Sequence, residues 1–111
     1  MSADLKKIVE LEEVQCAVEF DPDGQLIHSE GEIPERVADM LADLFSANLR
    51  MARMQAHLFT EESGMAGFGK EITGFAMMGS ELSFCVIENV GVVVINEKTD
   101  LNKIYEVLAA I

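Results

Sequence analysis

The stretch Asp21-Pro22-Asp23-Gly24 places two carboxylates and a glycine in the D-x-D-G arrangement with which many calcium loops begin. A calcium loop of this kind also needs a third oxygen ligand at its fifth position and a glycine at its sixth. Those positions hold Gln25 and Leu26 in this chain. The residues therefore favour a type I turn between two strands, with proline in second place and glycine in a left-handed conformation. We expect no metal here.

A second glycine-bearing stretch matches the G-x-x-x-x-G-K pattern of nucleotide-binding loops through Gly64, Gly69 and Lys70. The next residue is Glu71, where such a loop needs a serine or threonine to hold magnesium. The stretch also follows a predicted helix and opens a predicted strand, whereas a phosphate-binding loop follows a strand and opens a helix. We predict a flexible connection that binds no nucleotide, and we expect no cofactor elsewhere.

The thiols and imidazoles form no catalytic or metal-binding pattern. Cys16 and Cys85 lie far apart, with neither a Cys-x-x-Cys spacing nor a neighbouring histidine, so packed and reduced thiols are expected. His28 and His57 lie beside no serine or cysteine nucleophile, and both are expected to be solvated or hydrogen-bonded. Among 20 acidic residues no pair stands out as an acid/base couple. We predict that the protein is not an enzyme.

Charge and hydropathy restrict the partners. The formal net charge of −12 disfavours nucleic acids and anionic membrane surfaces, because both repel an acidic protein. The longest apolar run, Val90 to Ile95, is far shorter than the roughly 20 residues that cross a bilayer. The first residues lack the apolar stretch and cleavage site of a signal peptide. We therefore expect a cytoplasmic protein without membrane insertion.

Length and composition indicate a single folded domain over residues 1–111. Half of the chain is apolar and a quarter is charged, which is typical of globular proteins. A chain of 111 residues can bury one core but not two ordinary ones.

Hydrophobic periodicity divides the chain into eight elements. The first half contains a helix capped by Asp4 and ending near Glu12, a strand over 14–20, a returning strand over 25–30 and a helix from Pro34 to about Phe59. The second half contains strands beginning at Ile72, Leu82 and Val92 and a helix from Thr99 or Asp100 to about Ala110. This α-β-β-α-β-β-β-α order predicts an α+β fold, in which a five-stranded antiparallel sheet carries the long helix on one face and the two terminal helices on the other.

The same periodicity predicts which side chains share a face. Alternation in the first strand groups Val14, Cys16, Val18 and Phe20. Helical spacing in the last helix groups Leu101, Ile104, Tyr105 and Leu108.

The long helix carries more apolar surface than one sheet can cover. Its polar residues follow one stripe: Arg36, Asp39, Asp43, Ser46, Arg50, Arg53 and His57. A row opposite that stripe is expected to rest on the sheet: Leu41, Phe45, Asn48, Ala52, Gln55 and Phe59. Two further rows are Met40, Ala47, Met51, Met54 and Leu58 on one side and Ala38, Ala42, Leu49 and Ala56 on the other. Because a helix on one sheet needs an apolar arc of little more than about 100°, another surface is expected to cover the excess.

The element order, the DPDG hairpin, the long helix from Ile33 and the segment GFAMMGSELSFCVIENVGVVVINEKTDL together resemble the roadblock family of dynein light chains, and more closely a bacterial roadblock-like subgroup. The resemblance extends over almost the whole chain. It implies a profilin-like fold, dimers that pair their long helices and third strands, and a role as a platform for Ras-like GTPases or motor complexes.

We therefore hypothesise a non-enzymatic, homodimeric interaction or scaffold module for a small GTPase or another cytosolic complex. The surplus apolar row supports a partner surface independently of the resemblance. The expected dimer interface comprises Met40, Ala47, Met51, Met54 and Leu58 of the long helix and Met77 and Met78 of the third strand.

The alternative hypothesis is a small-molecule-sensing or redox-associated accessory protein that uses the space between sheet and helix near Cys16 or Cys85. A closed core distinguishes the two hypotheses, because a fully packed interior leaves no volume for a ligand. The large residues Leu41, Phe45, Phe59, Phe75 and Phe84 favour a closed core.

Overall fold

The computed structural model describes residues 4–65, 67–68, 72–98 and 100–110. Within these ranges the chain forms helices and strands in the predicted order. The helices are α1 (Leu5–Val9), α2 (Glu35–Ser63) and α3 (Leu101–Ala110); the strands are β1 (Val14–Phe20), β2 (Leu26–Gly31), β3 (Gly74–Met78), β4 (Leu82–Ile87) and β5 (Val90–Ile95). A 3₁₀ turn over Asn96–Lys98 joins β5 to α3.

The five strands form one antiparallel sheet in the order β2-β1-β5-β4-β3. α2 packs on one face of this sheet, whereas α1 and α3 pack on the other. The predicted α+β architecture is therefore confirmed. β5 lies at the centre and is apolar throughout, and its residues from Val90 to Val94 are buried because helices cover both faces of the sheet.

The DPDG stretch forms the predicted turn. Asp21 Oδ1 accepts hydrogen bonds from the backbone N–H groups of Asp23 and Gln25, each at 2.9 Å. Gly24 has φ of +85° and donates its N–H to the Asp21 carbonyl at 2.9 Å. The strand register shifts between Glu19 and Phe20, so a bulge precedes the turn. The aspartate carboxylate is thus occupied by the turn's own backbone.

The sequence predicts that Val14 shares a face of β1 with Cys16, Val18 and Phe20, and this prediction is wrong for Val14. Cys16, Val18 and Phe20 pack under α2, but Val14 packs with Ala17 on the side of α1 and α3. A register irregularity between Val14 and Cys16 explains the change, because an extra residue reverses the strand's alternation.

The predicted sheet-facing row of α2 is also partly wrong. Leu41 and Phe45 are buried as expected, but the remaining buried apolar residues are Ala38, Ala42, Leu49 and Ala56, and not the later members of that row. Asn48 and Ala52 are half-buried, while Gln55 and Phe59 are exposed. The helix is therefore rotated toward its alanine side. Small side chains permit this because they let the helix axis lie close to the strands.

The sequence predicts Ser46 on the solvent-facing polar stripe, yet only 4% of it is exposed. It lies beside the turn glycine: a Cβ added to Gly24 would come within 3.3 Å of Ser46 Oγ. The rotation of α2 toward the β1–β2 turn places this hydroxyl inside the protein.

Several element boundaries differ from the predicted ones. α1 ends at Val9 because the chain turns there through Leu11 N–H to Ile8 C=O and Val14 N–H to Leu11 C=O hydrogen bonds. α2 continues to Ser63 and ends where Gly64 adopts a left-handed conformation. Its 29 residues span about 43 Å at 1.5 Å per residue, which matches the longest dimension of the structure, 43 Å.

Other differences lie in the second half of the chain. β3 begins at Gly74 instead of Ile72, and β5 begins at Val90 instead of Val92, which leaves only Glu88 and Asn89 in the β4–β5 turn. In α3, Ile104 and Leu108 are buried but Tyr105 is 52% exposed. The predicted start at Thr99, the side chain of Leu101 and the end of the glycine-lysine pattern, from Gly69 to Glu71, lie outside the described residues.

Gly91 of β5 lies directly against α2. A Cβ added to Gly91 would lie 2.3 Å from Phe45 Cδ2, well inside contact distance. Phe45 is fully buried and forms an edge-on contact with Phe84, with ring centroids 5.2 Å apart. The missing side chain of Gly91 therefore makes room for the ring that holds α2 on the sheet.

We predict that Gly91→Ala lowers the free energy of unfolding by about 1–3 kcal/mol, since the methyl group must displace the Phe45 ring from a packed site. Urea unfolding followed by circular dichroism measures the change. Gly67→Ala is the matched control, because a Cβ at Gly67 meets no atom within 4 Å. Equal stability of the Gly91 variant and the control would show that Phe45 does not fix the position of α2.

Candidate functional site

A continuous apolar stripe runs along the side of α2 that faces away from the sheet. Its members are Met40, Leu44, Ala47, Met51, Met54 and Leu58. The five large side chains are between 43% and 58% exposed. Their spacing alternates between four and three residues, which is the spacing of a coiled-coil seam. The stripe therefore has the periodicity of a surface that packs on another helix.

Leu44 is a member of this stripe that the sequence prediction missed. It is 43% exposed and fills the gap between Met40 and Ala47. The four-three spacing of the neighbouring residues is the signal that could have identified it.

The two methionines of β3 lie on opposite faces of the sheet. Met77 is on the same face as Phe75, which packs in the cluster under α2. Met78 is on the face of Ala76, whose partner Cys85 packs with α1 and α3. Met77 and Met78 are 47% and 71% exposed. Only Met77 therefore shares a face with the stripe on α2.

β3 is an edge strand, because within the described sheet it pairs only with β4. One of its sides therefore offers backbone groups to a further strand. A groove of about 260 Å³ joins this edge to α2, and Met51, Ala52 and Gln55 line it together with Ala76 and Met77. The stripe and the strand edge thus form one continuous surface.

An exposed aromatic pair lies at the C-terminal end of α2. The rings of Phe59 and Phe68 meet edge to face with centroids 5.6 Å apart, and they are 44% and 46% exposed. The sequence predicts Phe59 on the sheet, but α2 extends past the sheet here, and the residues from His57 to Phe59 are exposed. The pair extends the apolar surface beyond Leu58.

His28 is hydrogen-bonded, as predicted, and His57 lies beside a carboxylate on the surface. His28 Nε2 lies 3.0 Å from Glu30 Oε1, and His57 Nε2 lies 3.2 Å from Glu61 Oε1. Both pairs are on the protein surface and neither includes a nucleophile. Across the described ranges, no three His, Cys, Asp or Glu side chains converge where a metal ion could bind.

The two cysteines lie on opposite faces of the sheet. Cys16 packs under α2 and Cys85 packs with α1 and α3, so the sheet separates the thiols. Burial raises the pKa of both thiols, and a hydrogen bond with the Val93 backbone offsets part of that rise at Cys16. Burial and a raised pKa both disfavour the thiolate, which is the reactive form of cysteine.

The α+β fold of this chain is similar to that of solved roadblock-like domains. The crystal structure of a Roadblock/LC7 domain from Streptomyces avermitilis is similar with a TM-score of 0.70 at 19% identity, over 84% of this chain and 76% of that one. The structure of the gliding protein MglB from Thermus thermophilus is similar with a TM-score of 0.61 at 16% identity, over 86% of this chain and 70% of that one. A structure described as MglB with tetrameric arrangement is similar with a TM-score of 0.61 at 19% identity, over 88% of this chain and 77% of that one. At these identities the likeness shows a shared fold, which confirms the predicted roadblock-like fold.

The chain belongs to the family described as "Uncharacterized conserved protein (DUF2173)", which it matches over residues 4–110. No curated protein matches the sequence. In the parts of the chain that the structure describes, no helix is both long enough and apolar enough to span a bilayer.

We predict that a thiol reagent such as DTNB labels the native protein far more slowly than the unfolded chain near pH 8, because burial restricts access and disfavours the thiolate. The raised pKa favours the neutral thiol in the folded state. Below the ordinary thiol pKa, this difference in pKa contributes fully to the stability of the folded state. The contribution is lost as pH rises through the pKa of the thiols in the folded protein, so the free energy of unfolding should fall above about pH 8.5. Fast stoichiometric labelling of either Cys16 or Cys85 in the native protein would contradict the packed arrangement.

Proposed function

We propose that the protein is a non-catalytic, cytosolic homodimer whose subunits pair through α2 and β3 and together present a docking surface to a Ras-like GTPase. The observation that carries the proposal is the exposed four-three stripe of α2, which is continuous with the free edge of β3. The interface retains Met40, Ala47, Met51, Met54, Leu58 and Met77, adds Leu44, and places Met78 at its margin on the other face of the sheet.

Burial of the stripe supplies the driving force. Each half-exposed methionine or leucine contributes on the order of 1 kcal/mol when the rest of its surface is covered. In a dimer with a two-fold axis, each such residue is buried once in each subunit and therefore contributes twice to the free energy of association. Pairing of two β3 edges adds backbone hydrogen bonds and removes an exposed edge that favours aggregation.

The charges at the ends of the stripe favour an antiparallel pair of helices. Arg36 lies one turn before Met40, and Glu62 lies one turn after Leu58. Antiparallel pairing that places Met40 beside Leu58 of the second copy also brings Arg36 beside Glu62 of that copy. Parallel pairing would instead place like charges together at both ends, which is unfavourable. The dimer is therefore expected to have its two-fold axis at the middle of the stripe, between Ala47 and Met51.

We predict that Met51→Glu with Met54→Glu yields a folded monomer, because two desolvated carboxylates would have to enter the centre of the interface. Light scattering at about 100 µM, well above a micromolar dissociation constant, measures the mass. The matched control is Ile27→Glu with Tyr105→Glu, which adds the same charge at side chains that are 51% and 52% exposed outside the stripe. A monomeric wild type, or a double variant that remains dimeric, would refute the proposal.

The same measurement tests orientation. Arg36→Glu alone is expected to weaken the dimer, and Arg36→Glu combined with Glu62→Arg is expected to restore it, because the reversed pair is again complementary in the antiparallel arrangement. Failure of the second substitution to restore dimerisation would exclude the antiparallel register.

The proposal that the partner is a GTPase rests on the roadblock resemblance and the shared fold. The evidence for the dimer, which is the exposed stripe of α2, does not bear on the identity of that partner. The tetrameric arrangement of one similar structure supports self-assembly of this fold. The acidic surface permits a partner with a basic patch, since complementary charge speeds and orients association.

We predict that a purified Ras-like GTPase from the same organism binds the dimer at least about tenfold more tightly in one nucleotide state, because its switch loops differ between the two states. Titration calorimetry with the GDP-bound and GTP-analogue-bound forms measures this difference. The monomeric α2 variant should lose binding if the surface is composite. Absence of binding by every such GTPase would overturn the GTPase assignment while leaving the dimer intact.

A further inference from the structure

We propose that a second site, separate from the dimer surface, binds a free α-amino acid with an apolar side chain. The site is a cavity of about 510 Å³ where the end of β1, the β1–β2 turn and the β4–β5 turn meet the polar flank of α2. Its volume is typical of small-molecule pockets. Because the cavity opens beside the hairpin turns and not on the α2 stripe, the inference does not depend on dimerisation.

Two of the three arginines in the chain line this cavity. Arg50 Nη1 donates to Ser46 Oγ at 3.3 Å, and Arg53 Nε donates to the Ile72 carbonyl at 3.4 Å. Across the described residues, no carboxylate lies within the 4.0 Å that defines an ion pair with either guanidinium. This is unexpected in a chain with 20 acidic residues. Most of the donors of both guanidinium groups are therefore available to a ligand carboxylate, which arginine binds through paired hydrogen bonds.

Two buried apolar side chains form much of the inner wall of the cavity. Phe20 and Leu49 are 3% and 4% exposed, and both line the cavity. The buried Ser46 hydroxyl accepts the hydrogen bond from Arg50 and limits the rotation of that guanidinium. Such a wall can accommodate an aliphatic or aromatic side chain.

Two carboxylates from the hairpin turns also line the cavity. Asp21 uses Oδ1 for the turn, and no described residue donates to its Oδ2. Glu88 is exposed in the two-residue β4–β5 turn and has φ of +53°. Glycine or asparagine is the usual residue in that conformation, so the turn keeps a carboxylate at the cavity in a conformation that glutamate rarely adopts.

The distribution of charge defines the ligand class. A simple anion would be attracted by Arg50 and Arg53 but repelled by Asp21 and Glu88, and a simple cation would meet the opposite conflict. A molecule that carries a carboxylate and an ammonium group on the same carbon can satisfy both sets of charges. Its third substituent then contacts the apolar wall. A nucleotide or phosphate carries no cation for the two carboxylates and fits less well.

Calorimetric titration of the full chain with L-valine, L-leucine, L-methionine and L-phenylalanine tests the proposal. We expect at least one of them to bind with a millimolar or tighter dissociation constant. The analogue of that amino acid without its ammonium group and the analogue without its carboxylate should each bind about tenfold more weakly or worse, because each leaves charged groups unpaired. This series uses the wild-type protein, so it does not depend on the folding of any variant.

Substitutions then locate the site. Arg50→Gln and Arg53→Gln should each weaken amino acid binding by about tenfold or more. Glu88→Gln should weaken the amino acid but not its analogue without the ammonium group. Lys6→Gln is the control, since it removes one positive charge from an exposed residue of α1 on the other side of the sheet. Circular dichroism verifies that each variant is folded.

Three results would overturn the inference: no heat from any of the four amino acids at about 10 mM, far above the expected dissociation constant; wild-type affinity in both arginine variants; or an equal loss of affinity in Lys6→Gln. Loss of dimerisation with retained amino acid binding would instead separate this site from the proposed interface.

Discussion

The position of α2 on the sheet is the constraint on which the rest of the structure depends. Phe45 occupies the space left by the missing side chain of Gly91, and Ala38 and Ala42 let the helix lie close to the strands. This closely packed contact with the sheet involves only one side of a helix of 29 residues. The remaining circumference of α2 must therefore face solvent, a partner or a ligand.

Two surfaces with different chemistry result from this one orientation. The side opposite the sheet carries the apolar four-three stripe, which continues through Met51 and Met77 to the edge of β3. The flank turned toward the hairpins carries Arg50 and Arg53 beside a buried apolar wall. The proposed self-association surface and the proposed small-molecule site therefore lie on different sides of one helix, because helical spacing separates the two sets of side chains. The proposed amino acid site differs from the ligand space expected from the sequence, because it lies at the edge of the helix–sheet layer and neither Cys16 nor Cys85 lines it.

The β-hairpin turns are more than connections between strands. The β1–β2 turn is held by Asp21 and lies against α2 at Ser46, while the β4–β5 turn places Glu88 in a left-handed conformation. Both turns end at the same cavity. A rigid sheet that carries polar loop residues to one edge is a common way to build a binding site.

The sequence alone determined the element order, the antiparallel sheet, the DPDG turn and the excess apolar surface of α2, because periodicity and turn chemistry act over a few neighbouring residues. It also identified most of the stripe. It did not determine the rotation of α2, the face of Val14 or the burial of Ser46. These depend on a strand irregularity and on contacts such as Phe45 with Gly91, between residues distant in sequence. The arginine cavity arose only in the tertiary structure for the same reason: its residues come from α2 and two separate hairpins, and no spacing along the chain brings them together.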